Sequence, residues 1–429
     1  MKTSRIVTLL CTFLLLLSSG VTYAYNYPFT DPYVATVLST PEEYATKLPK
    51  KVPVRFDSIT VFPDREIPDI LWYLKGLDYS YLKQKGPAPL IFLIAGTGAS
   101  FRSEKMQDMQ RAFYHAGYHV ISLSSPTHPN FIVSASTSSV PGHLEEDSVD
   151  LYRVMQEIWQ KLQKKMEVTD FYLTGYSLGA AESAFIAKLD EKKKAFNFRK
   201  VLLINPPVSL YNSVVILDNM LLENLPGGLD NFDAFYDQVM SAFTDAYVHG
   251  EAVEFNDSFL YSVYKYRKPK SDESLAALIG VDFRISTESM AFVSDVMTRA
   301  GYIVPSNLEL GRYDSVTDYE KALGRLSFID YFEGIFLPHF QQQDPGLKEA
   351  DLIHKMSLNY IEDYLRTSPK LGLISNEDDI ILRPGEIDYL RDVFGSRAHI
   401  FPHGGHCGNM AYPDNTAAMI EFFQASNKN

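Results

Sequence analysis

Residues 171–189 constrain the backbone of this chain more tightly than any other stretch. The apolar run Phe171-Tyr172-Leu173 leads into Thr174-Gly-Tyr-Ser-Leu-Gly-Ala-Ala181, and the alanines open a segment that reads as a helix. A Gly-x-Ser-x-Gly pentapeptide between a strand and a helix demands a very sharp turn that thrusts the serine clear of the backbone. Gly175 and Gly179 are needed because side chains would collide where strand and helix nearly touch.

The rest of the chain repeats that strand-to-helix rhythm. Residues 54–62 alternate as an opening strand, and 70–74 read as the next. Residues 89–95 form a continuous aliphatic run, as a strand buried on both faces requires. A helix over 103–117 and a strand over 119–123 follow. Residues 144–166 are a long amphipathic helix, with Leu151, Val154, Met155, Ile158, Trp159 and Leu162 at helical spacing. A strand over 170–176 enters the sharp turn, a helix runs on to about residue 189, and 201–205 is an aliphatic strand stopped by Pro206-Pro207.

From about 209 to 365 the alternation stops. This stretch reads as largely helical, rich in Phe, Tyr and Met, with breakers at Pro226-Gly227-Gly228, Pro269, Gly280, Pro305 and Pro345-Gly346. Alternation resumes with a strand over 371–375, a helix over 384–394, a strand over 399–401 and a helix over 416–425. Such repetition implies an α/β fold, a mostly parallel sheet covered on both faces. The interruption implies a helical insertion of roughly 150 residues, the size of a small domain. The expected organisation is a first core part over 25–208, an insertion over 209–365 and a second core part over 366–429. No internal repeat or low-complexity tract is visible.

The first 24 residues are set aside from the fold. Lys2 and Arg5 precede an unbroken apolar stretch from Ile6 to Leu17, and Thr22-Tyr23-Ala24 is a small-residue exit. Charge, length and exit read as a signal peptide cut after Ala24, with a periplasmic or secreted destination. The apolar stretch is too short to span a bilayer, so no membrane span is expected in the mature chain. Cys11 follows Leu10, where a lipid-attachment cysteine wants a small residue, so no lipoprotein is expected.

Of the two cysteines, cleavage leaves Cys407 alone and no intramolecular disulfide. The formal net charge of −13 argues against a nucleic-acid partner, which would require a basic face. The basic cluster Lys265 to Lys270 reads as solvated surface. No His or Cys cluster has metal-ligand spacing, so neither a metal nor a cofactor is implied.

A serine hydroxyl becomes a nucleophile when a base takes its proton and a third group orients that base. Ser177 is the candidate nucleophile. In this strand–turn–helix context the partners follow in the order acid, then histidine. The chain has ten histidines, but only His406 ends Phe401-Pro-His-Gly-Gly-His-Cys-Gly in the loop past the last expected strand. His403 is its alternative. The acid should leave the penultimate strand, where Asn376-Glu377-Asp378-Asp379 offers three carboxylates. Placing a left-handed turn at Asn376 and counting three onward selects Asp379, with Asp378 the alternative and Glu377 third.

Two backbone N–H groups must converge on a developing oxyanion. One is expected from Leu178, and the other from Gly96-Thr97-Gly98-Ala99-Ser100 after the 89–95 strand, with Thr97 first and Gly98 second. Phe101 stands where a dinucleotide-binding fingerprint would have its third glycine. Cys407, as an adjacent residue, is not expected to point at His406. His128 reads as a structural or surface histidine.

The ordered set of Gly-x-Ser-x-Gly, glycine loop, Asp and His resembles the α/β-hydrolases over residues 54–207 and 368–425. That resemblance places the acid after the strand preceding the last, which matches Asp379, and a cap after the sixth strand, which matches 209–365. It implies a serine hydrolase working by acyl transfer to water on a small-molecule ester or acyl substrate, with a carboxylesterase or lipase-like activity first. A peptidase or amidase of the same fold is the enzymatic alternative, and a binding protein on a hydrolase scaffold the non-catalytic one. The sequence does not specify an oligomeric state.

Overall fold

The computed structural model describes residues 25–425, apart from 50, 226, 249–259, 261–263 and 265–270. The expected signal peptide and the Lys265 to Lys270 cluster lie outside the described residues. Eight strands form one sheet: β1 (Arg55–Ile59), β2 (Leu77–Leu82), β3 (Ala88–Ile94), β4 (His119–Leu123), β5 (Val168–Tyr176), β6 (Lys200–Ile204), β7 (Leu371–Asn376) and β8 (Ala398–Phe401). Their order across the sheet is β1-β2-β4-β3-β5-β6-β7-β8. β2 runs antiparallel to both β1 and β4, and every pairing from β4 to β8 is parallel. This is the α/β-hydrolase fold.

The central strands are buried on both faces because helices cover both. On one face α4 (Leu144–Leu162) and α5 (Leu178–Lys193) pack together; on the other, α2 (Glu104–His115) meets the C-terminal helix over Pro413–Gln424. Buried Leu90, Phe92 and Ile94 of β3 join the first core, while Ile91 and Leu93 join the second, as the two-residue period of a strand dictates. Consecutive crossovers leave β3 toward β4 and then pass to β5 on its other side. Such a reversal opens a crevice at the carboxyl ends of the strands, where ligands bind in open α/β sheets.

Two local expectations are corrected. The 70–74 segment is a short 3-10 turn over Asp69–Leu74 entered from Pro68, and the second strand is instead Leu77–Leu82. Pro68 fixes its own φ and cannot donate to a ladder, and Gly76, at φ +88°, turns the chain into β2. Gly280 does not interrupt a helix. It lies inside the 27-residue helix Asp272–Thr298. A Cβ there would sit 2.6 Å from the backbone nitrogen of Leu221, so glycine lets two helices touch.

Between β6 and β7 the described residues contain no strand. The first long helix of this cap, α6 (Leu210–Asn224), packs along the 27-residue helix, here α8, with α7 (Phe232–Val248) between them in the chain. The amino-terminal half of α8 supplies Leu275, Leu278, Ile279 and Val281 to a separate cluster, which cap side chains share with Val37 of the amino-terminal helix. Phe283, Met290 and Val293 of the same helix join the main core under the sheet. Many aromatic and aliphatic side chains among the described cap residues are thus packing material. No helix of the described residues is long and apolar enough to cross a membrane.

Candidate active site

The turn between β5 and α5 holds Ser177 at φ +54° and ψ −126°. That left-handed conformation is costly for a residue with a Cβ, of order 1–3 kcal/mol, and persists only where the surroundings enforce it. Here the Ser177 N–H donates to the Ile204 carbonyl at the end of β6 at 2.9 Å. Gly175 and Gly179 face one another across the turn. A Cβ on Gly179 would lie 2.5 Å from the carbonyl oxygens of both Ile94 and Ala95.

The His406 Nε2 lies 2.9 Å from Ser177 Oγ, and its Nδ1 lies 3.0 Å from Asp379 Oδ1. These three residues leave β5, β8 and β7 at the same rim of the sheet. Ser177 is half-buried, the His406 side chain is 17 % exposed and the Asp379 side chain is fully buried. An Nδ1–H donated to Asp379 leaves Nε2 as the acceptor facing the serine hydroxyl. Burial opposes charge on His406, but neighbouring Cys407 and the Asp379 carboxylate outweigh it and raise the imidazole pKa above its ordinary value.

The other two carboxylates of the acidic run go elsewhere. Asp378 accepts the Gly404 and Gly405 N–H groups at 3.2 and 2.9 Å and so holds the loop that carries His406. Burial raises its pKa against those two hydrogen bonds. Glu377 is exposed and pairs with Arg391. The turn expected at Asn376 is not there. Asn376 ends β7 without a left-handed φ, and its buried amide donates to the Gly405 carbonyl at 2.7 Å. His403 faces away, with Nε2 3.2 Å from the Tyr27 carbonyl.

On the opposite side of Ser177, Gly96 approaches so closely that a Cβ would meet the Tyr176 ring at 2.8 Å. Gly98, at φ +68°, donates its N–H to Thr127 Oγ1 at 2.8 Å and is therefore committed. Neither Thr97 nor Leu178 donates its N–H to any acceptor among the described residues. The arrangement can accept a proton from a serine hydroxyl and offers two free N–H groups beside it. His128 serves structure, its Nδ1 accepting the Asn130 N–H at the start of the helix Pro129–Ser134. Burial lowers its pKa to about 4, which keeps that acceptor free of a proton. Cys407 is buried, at φ +60°, with Sγ 3.8 Å from His406 Nε2. It does approach the imidazole, contrary to expectation, because the left-handed backbone folds its side chain back.

Three supporting residues were not read from the sequence. Asn205, at the end of β6, donates Nδ2–H to Asp379 Oδ2 at 2.8 Å. Thr36 Oγ1, in the helix Pro32–Leu38, accepts the His406 N–H at 2.9 Å. Thr127 holds the Gly98 loop as described. Only Asn205 carried a signal, as a polar residue ending an aliphatic strand. Among the described residues no group of three or more His, Cys, Asp or Glu side chains is placed to hold a metal ion.

No family profile matches this chain, and no curated protein matches it in sequence. Many solved structures align with it in three dimensions. A thioesterase domain from the curacin biosynthetic pathway shares 13 % identity, at TM-score 0.39, over 87 % of this chain and 100 % of that one. A Rhizomucor miehei fungal esterase shares 11 % at TM-score 0.42, over 88 % and 84 %. An acylaminoacyl peptidase from Pyrococcus horikoshii shares 12 % at TM-score 0.42, over 86 % and 41 %. Likeness this remote assigns no substrate.

Proposed function

We propose that the chain is an exported serine hydrolase that cleaves carboxylic esters through an acyl-enzyme on Ser177. The observation that carries this reading is the continuous hydrogen-bonded line from Ser177 Oγ through both nitrogens of His406 to Asp379. Ser177 Oγ attacks the ester carbonyl carbon while His406 Nε2 takes its proton, and the imidazolium that forms is stabilised by Asp379. The carbonyl oxygen becomes an oxyanion, received by the Leu178 and Thr97 N–H groups. The C–O bond to the alcohol then breaks, and His406 gives its proton to the departing oxygen. Water attacks the acyl-serine, losing a proton to His406, and the acid leaves as that proton returns to Ser177.

Asp379 is placed in this role over Asp378 because Asp378 spends both oxygens on the loop backbone. Thr97 is placed over Gly98 because the Gly98 N–H is already bonded. Purified protein should hydrolyse p-nitrophenyl acetate, and Ser177→Ala should lower kcat by at least about 10⁴-fold. Equal turnover by wild type and Ser177→Ala would remove the nucleophile from this account.

A further inference from the structure

Beside the two free N–H groups lies a cavity of about 10 Å³, room for about one water-sized group. Thr97 and Leu178 line it together with Leu210 and Val214 of α6, Phe283 and Met290 of α8, and Phe328. A carbonyl whose oxygen sits at the N–H pair can send its acyl chain into adjoining space, and this small apolar cavity adjoins both Thr97 and Leu178. We infer that the site takes acetyl esters, with the cap helix α8 closing the acyl pocket beyond a single methyl group. The inference rests on the hydrolase reading and specifies its substrate class.

The walls cannot withdraw without unpacking the cap. Ser286 of α8 is seated on the oxyanion loop, where a Cβ on Gly98 would lie 2.7 Å from its hydroxyl oxygen. Gly280 brings α8 against the backbone of α6. Asp218 of α6 and Arg284 of α8 meet at 3.4 Å with side chains 4 % and 3 % exposed. The same carboxylate accepts the Phe328 N–H at 3.0 Å, tying a third wall to the other two. Close-packed interiors admit extra methylenes only with strain.

The test is a series of p-nitrophenyl acetate, butyrate and octanoate assayed with wild type, Ser177→Ala and Met290→Ala, with Val214→Ala as a second widening variant. Expected is a kcat/KM for acetate at least about 10-fold above butyrate, with octanoate lower still. Either widening variant that folds should raise the butyrate-to-acetate ratio by about 10-fold or more. Wild type cleaving octanoate as fast as acetate overturns the inference and leaves the hydrolase reading standing. A ratio unchanged in the folded widening variants also overturns it. No turnover above the Ser177→Ala background on any ester overturns the hydrolase reading, and the inference with it.

Discussion

Asp378 and Asp379 are chemically alike and adjacent, and the backbone assigns them different work. Asp379 bonds His406 Nδ1, Asn205 and the Ile381 N–H, whereas Asp378 secures Gly404 and Gly405. Asp379→Asn therefore leaves the imidazole in the wrong tautomer, and kcat on p-nitrophenyl acetate should fall about 10⁴-fold. Asp378→Asn should cost far less. Equal losses in the two variants would contradict the assignment. A second expectation concerns pH. His406 must be neutral to act as a base, and Cys407 and Asp379 hold its pKa above the ordinary 6.5 despite burial. The acid limb of kcat/KM should accordingly be centred above pH 6.5, and Cys407→Ser should move it down. A limb centred below 6.5 in wild type would count against the proposed electrostatics. Ser177, His406 and Asp379 were legible because each sits at a fixed place relative to a strand end. Thr36 was not, since its role depends on a distant helix docking under the histidine loop.

Among the elements, the packing of α4 on α5 holds the least expected chemistry. Glu182, in the second turn of α5, is fully buried, and neither carboxylate oxygen has a hydrogen-bond partner among the described residues. Asp147 of α4 is equally buried and accepts the Gly142 N–H at 2.7 Å. Burial, and then the charge of Asp147, raises the Glu182 pKa well above the usual carboxylate range. A raised folded pKa means the native state holds a proton that the unfolded chain releases near pH 4.3. That contribution is present in full below the unfolded value and is lost as pH rises through the folded one. Glu182→Gln removes this dependence, so its melting temperature relative to wild type should climb from pH 5 to pH 8. A difference that stays flat would show that Glu182 is ionised in the fold. The sequence marked the 144–166 helix by its apolar spacing, but a polar residue on a buried face carries no pattern. The 70–74 segment misled for a related reason, because a short apolar run between Pro68 and Gly76 does not distinguish a strand from a tight helical turn.

At the scale of the whole molecule, strand–helix alternation announced the sheet, and its interruption announced a helical segment between β6 and β7. Both signals are periodicities, which a single chain displays directly. The relation of cap to site is not periodic. It depends on Gly280 permitting contact between α6 and α8, and on Asp218 and Arg284 finding each other across 66 residues. The consequence is a small cavity lined by Thr97 and Leu178 and walled by cap side chains of α6 and α8. All of this chemistry presumes a Ser177 oxygen made nucleophilic by His406. The most direct measurement is the site of modification by a fluorophosphonate, read by mass spectrometry of the digested protein. One adduct is expected, on the peptide containing Ser177, formed at a rate that collapses in His406→Ala. Folded wild-type protein that remains unlabelled, or labels equally fast without His406, would contradict it.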